Sequence, residues 1–198
     1  MSRFIEDGTG NGFKLKINKL NRAKTDSVTF EREDDAIEAG AGYQITSGQV
    51  VYTTSGSATG VLYFKNDEDV DCVIDRVVLM IGTGDTSGDW FHRIVRNPTG
   101  GTLIDNAVKA GISNSNHGSA NVLNGDGKDI FKGVEGDTIT GGTGVSLPVQ
   151  STNNRIVFPV GRRVPKGSSF AVEITSPTIN SGSVIAVSVA HVFLDVNQ

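Results

Sequence analysis

The chain has 198 residues and a mass of 20.9 kDa, enough for one β-rich domain that buries a core without help from a metal or disulfide. A net charge of −4 is too mild to imply a nucleic-acid or membrane partner, the single cysteine excludes an intramolecular disulfide framework, and no apolar run reaches membrane-spanning length. Val (23) and Ile (15) far outnumber Leu (8) and Met (2), while Gly, Ser, Thr and Asn together supply 73 residues, so short strands separated by turn-rich loops are expected.

In chain order, the opening MSRFIEDGTG is polar and charged, unlike a signal peptide, and predicts a protein made in the cytoplasm. FKLKINKL at 13–20 alternates Phe13, Leu15 and Ile17 with Lys14, Lys16 and Asn18 as a half-buried strand does, and Val28 with Phe30 marks a short second one. EDDAIEAGAG at 33–42 suits one helical turn stopped by Gly40. YQIT at 43–46 and QVVYT at 49–53, flanking Ser47-Gly48, predict a hairpin.

VLYFKN at 61–66 and VDCVIDRVVLMIG at 70–82 are strands joined by the turn NDED. The second is apolar on both faces from Val77 to Ile81, as in a sheet interior, with Asp75 and Arg76 placed on opposite faces and Cys72 expected to be buried. WFHRIVRN at 90–97 is a strand ended by Pro98. TLID at 102–105 and ANVL at 120–123 are expected as short strands, with 105–111 as helical turns stopped by Gly111. The remainder of 98–154 reads as long loops carrying marginal strands. RIVFPV at 155–160 is a strand whose Pro159 belongs at a sheet edge. SFAVEIT at 169–175 turns Phe170, Val172 and Ile174 inward and Ala171 and Glu173 outward, and VIAVSVAHVFLD at 184–195, apolar on both faces, is expected in a sheet centre. The fold class is therefore all-β: an antiparallel, jelly-roll-like β-sandwich over 26–198 with long Gly/Asn/Ser-rich loops.

Charge is segregated. Residues 1–25 carry six cations (Arg3, Lys14, Lys16, Lys19, Arg22, Lys24) against Glu6 and Asp7, whereas residues 26–41 carry six carboxylates against Arg32. This pattern predicts an N-terminal basic arm over 1–25, containing the strand at 13–20, with its own partner surface at Phe13, Lys14, Lys16 and Lys19; the alternative is that both segments are solvated faces of ordinary strands and turns.

A catalytic constellation is not expected. His92 and His191 sit in apolar strands as core or interface residues, and His117 lies in a solvated loop. A thiol at Cys72 among Val and Ile is inert, and no G-x-S-x-G elbow occurs. The stretches GTGNG, GTGDTSG and GGTG lack the Gly-Lys-Ser/Thr of a phosphate loop, NGDGKD at 124–129 lacks the glutamate that completes a calcium loop around Asp126 and Asp129, and no histidine or cysteine spacing suits zinc. No cofactor or metal is expected. The turn Arg162, Arg163, Lys166 is too small a footprint for nucleic acid.

VLYFKNDEDVDCVIDRVVLMIG at 61–82, RNPTGGT at 96–102, VPKGSSFAVEIT at 164–175 and VIAVSVAHVFLD at 184–195 carry a resemblance that extends over residues 13–195. In these phrases the chain resembles small virion structural proteins of tailed bacteriophages, especially β-sandwich head decoration (cement) proteins. The resemblance implies a non-enzymatic homotrimer on the capsid exterior that clamps neighbouring major capsid protein subunits. The rival reading is a tail-fibre, receptor-binding or carbohydrate-binding module whose ligand face is built from loops 82–90 and 111–128 around an exposed Trp90, although Trp90 is itself expected to pack in the core. A hydrolase would require His117 to converge with carboxylates such as Asp126.

Overall fold

Alternating β-branched sequence becomes antiparallel sheet throughout the computed structural model, which describes residues 32–150 and 155–195. In chain order the elements are α1 (Arg32–Glu38), β1 (Gly42–Thr46), β2 (Val50–Tyr52), β3 (Ala58–Lys65), β4 (Cys72–Ile81), β5 (Asp85–Ser87), β6 (Asp89–Arg96), α2 (Thr102–Asn106), β7 (Gly111–Asn114), α3 (Asn124–Gly127), β8 (Ile130–Lys132), β9 (Thr143–Gln150), β10 (Arg155–Val164), β11 (Ser169–Thr175), β12 (Thr178–Ser181) and β13 (Val184–Leu194). The expected arm over 1–25, its strand at 13–20 and the short strand at Val28 and Phe30 lie outside the described residues.

One sheet runs β10-β4-β13-β1-β7, with β2 also on β13, and the other runs β8-β3-β11-β6-β9. With β1 and β2 taken as one strand, and β5, β7, β8 and β12 set aside, eight strands remain. Along the chain they order as sixth, third, eighth, first in one sheet and second, seventh, fourth, fifth in the other. That order is a jelly roll, two Greek keys folded into facing sheets. Between the sheets lies one core that includes Tyr52, Phe64, Leu79, Trp90, Phe170 and Ile174. β13 occupies a sheet centre, flanked by β4 and β1, as its two apolar faces predict.

Several local expectations are corrected. Residues 43–46 and 49–53 do not form a hairpin, because β1 and β2 both pair with β13 in line. The five-residue step from Ile45 to Val50 faces only four residues of β13, Ala190 to Ala186, so the interruption is a bulge. Gly48 takes the left-handed conformation there (φ 65°). Ser47 holds the bulge in place: its N–H donates to the Ser188 carbonyl and its Oγ accepts from the Ser188 N–H, each at 2.9 Å.

Asp75 and Arg76 likewise share a bulge, between the pairs Arg76–His191 and Ile74–Val192, and their side chains meet instead of lying on opposite faces. TLID is helical, not a strand: α2 ends at Asn106, well before Gly111, and Ala107 adopts the left-handed conformation behind it. Packing overrides the β-branched propensity, because Leu103 is fully buried against Tyr63, Val95, Phe131 and Ala171. ANVL forms no strand, and the marginal strands expected within the long loops are β7, β8 and β9. Ala171 faces away from the sandwich interior as expected, yet it is buried, since the 97–142 excursion covers the outer face of its sheet.

Candidate partner-binding surface

The side chains able to do chemistry are placed where chemistry is suppressed. His92 on β6 is 1% exposed, stacks on Phe158 with ring centroids 4.2 Å apart, and has no hydrogen-bond partner at Nε2 among the described residues. Burial lowers its pKa to about 4, which leaves the imidazole neutral at pH 7. His191 on β13 is half-buried, with Nδ1 3.3 Å from the Arg76 guanidinium; burial first, and that cation second, lower its pKa. Burial raises the Cys72 thiol far from its reactive range.

His117 and Asp126 are both exposed, and no hydrogen bond or ion pair joins them among the described residues. Asp129 is engaged by Lys65 at 3.2 Å. Among the described residues no three His, Cys, Asp or Glu side chains gather as metal ligands, and no helix is long and apolar enough to cross a membrane.

Trp90 lies in the core, as expected of it, and so cannot be the exposed aromatic platform that the rival binding reading requires. It is fully buried, edge-to-face with Tyr52 at 5.3 Å. Its alternation partner on β6 explains why: the strand turns Trp90 and His92 inward and leaves Phe91 outside at 43% exposure.

The two outer faces of the sandwich differ. α2, β8 and Ile139 roof the β3–β11–β6 sheet, with Tyr63 stacked on Phe131 at 5.6 Å. On the other sheet, among the described residues, α1 covers only one end. Ala36 and Ala41 pack there on Val73 and Phe193, and Glu33 grips Arg76 at 2.8 Å. Beyond that end the outer face is an apolar ladder in register: Val51 opposite Ile185, Met80 opposite Val187, and Val78 flanked by Val189 and Val157. Val51, Met80 and Val157 are 46%, 37% and 45% exposed, while Val78 is buried and Ile185, Val187 and Val189 on β13 are half-buried, so the ladder is partly open to solvent. A contiguous apolar face whose side chains the described residues leave partly open is a candidate contact surface.

Sequence reasoning placed partner binding at Phe13, Lys14, Lys16 and Lys19, all of which lie outside the described residues. The ladder was missed, although its signal is present: β4 and β13 are apolar on both faces, and only one face is needed for the core.

No family model matches the chain, and no curated protein matches it. Among solved structures the chain is similar to a chain of the infectious bursal disease virus Gx strain structure, with 18% identity and a TM-score of 0.30. The match covers 79% of this chain and 33% of that one, so this chain spans about a third of its neighbour's length. Similarity at that level assigns no function.

Proposed function

We propose that this jelly roll is a non-enzymatic virion structural protein, a decoration (cement) protein that assembles as a homotrimer on the capsid exterior and bridges neighbouring major capsid subunits. The observation that carries the reading is the asymmetry of the sandwich: one outer face is roofed by the chain's own excursion, and the other presents the apolar ladder of Val51, Ile185, Met80, Val187 and Val157. Stable protein contacts bury about 800 Å² per partner, and a face four strands wide suits that scale. Repeating such contacts around a trimer converts individually weak interfaces into firm retention on a shell. The receptor- or carbohydrate-binding alternative loses its platform with Trp90 inside the core.

Light scattering of the purified chain is expected to give a trimer, and sedimentation with heads that lack the protein is expected to carry it down. Met80→Lys with Val157→Lys should abolish that co-sedimentation while leaving thermal unfolding nearly unchanged, since exposed positions tolerate substitution within about 0.5 kcal/mol. Deleting residues 1–25 should weaken association with heads and leave the domain folded. A strictly monomeric chain with no affinity for heads would overturn the proposal.

A further inference from the structure

The two sheets part at the β9–β10 side. These strands are the edges of opposite sheets, and between them lies a cavity of about 620 Å³. One wall is Ile74, Phe158 and Val160 from the β10–β4 side; the facing wall is Ile94, Leu147 and Phe170. The His92 ring, held neutral and stacked on Phe158, also lines the cavity. The volume and the mostly apolar lining fall in the range of small-molecule sites.

The mouth is cationic. Arg96, Arg162 and Arg163 all line the cavity. Arg163 is already engaged by Asp71 at 3.3 Å and Asp195 at 2.8 Å. Arg96 and Arg162 are exposed and make no ion pair among the described residues. Two guanidiniums that no described carboxylate pairs, over an apolar cleft, complement a ligand with an anionic head and a hydrocarbon body.

The edges argue against a peptide strand as occupant. β10 carries Pro159, which has no N–H, and a bulge between Pro159 and Arg162 where Gly161 takes φ 55°. β9 carries Pro148. Proline, bulge and charge are the devices that block strand addition, so whatever fills this cleft enters between the sheets instead of lengthening one.

We infer that the cleft binds a free medium-chain fatty acid, with the hydrocarbon tail between the sheets and the carboxylate at Arg96 and Arg162. The site does not depend on the virion reading, and its test uses the isolated chain. Isothermal titration with octanoate, decanoate and dodecanoate should show saturable binding that tightens about fourfold per added methylene, the transfer value for a buried CH₂. Arg96→Gln with Arg162→Gln should weaken dodecanoate at least tenfold and leave dodecanol unchanged. Leu147→Trp, a substitution at an exposed position on the cavity wall, should weaken both. Absence of saturable dodecanoate binding would overturn the inference. So would binding insensitive to these variants, or equally tight binding of dodecyltrimethylammonium, whose head has the opposite charge.

Discussion

Trp90→Ala is expected to lower the unfolding free energy by about 3–5 kcal/mol, the usual cost of removing a large buried aromatic. The indole is fully buried and meets the Tyr52 ring edge-to-face at 5.3 Å, so truncation empties the centre of the core and leaves Tyr52 without its partner. For a domain of ordinary stability that is a large share of the whole. Urea unfolding followed by circular dichroism measures it. Trp90→Phe should lose less, because most of the apolar volume remains. A Trp90→Ala variant that keeps its urea midpoint would refute the core placement, and one that also lost glycan binding would restore the carbohydrate-binding alternative.

Acid should weaken the fold through His92. Its pKa is about 4 in the folded chain and about 6.5 when unfolded, so between those values the unfolded state binds the extra proton. The stability that His92 permits is fully present above pH 6.5 and is lost as pH falls toward 4. The loss is about 3 kcal/mol at 1.36 kcal/mol per pH unit. His191, whose pKa is also lowered, adds to it in the same direction. His92→Phe preserves a ring to stack on Phe158 and removes the titrating nitrogen. Its urea midpoint should therefore change much less between pH 7 and pH 4.5 than that of the unaltered protein. Parallel pH profiles for the two proteins would contradict this assignment.

The jelly-roll class was legible because β3, β4, β11 and β13 announce themselves by alternation or by unbroken apolar runs, and those four strands form the middle of the two sheets. Residues 97–150 were not, and the causes are local. β9 reads TGVSLPVQ, with Gly144 and Pro148 inside it, and it exists because β6 pairs with it across eight residues. TLID has strand composition but turns helical where Leu103 finds a pocket outside the sheet. Ser47-Gly48 serves a bulge as well as it would serve a turn, and only the length of β13 decides between them. The apolar ladder was half legible, since β13 is apolar on both sides, but its register with Val51, Met80 and Val157 is a property of strand pairing. The fatty-acid cleft had no linear signal, because Arg96, Leu147 and Arg162 come from three strands in two sheets.

One connection in the fold limits how the sandwich can breathe. The chain from Val108 to Asn114 first hydrogen-bonds β8, through Ala110 to Ile130 and Lys132 to Val108, and then becomes β7 on the margin of β1. It thereby stitches the two sheets together on one flank, like the spine of a book, while β9 and β10 form the fore-edge. Native-state hydrogen exchange should accordingly be faster at the fore-edge than along the spine, and any guest would be admitted by leafing apart the pages on that side alone.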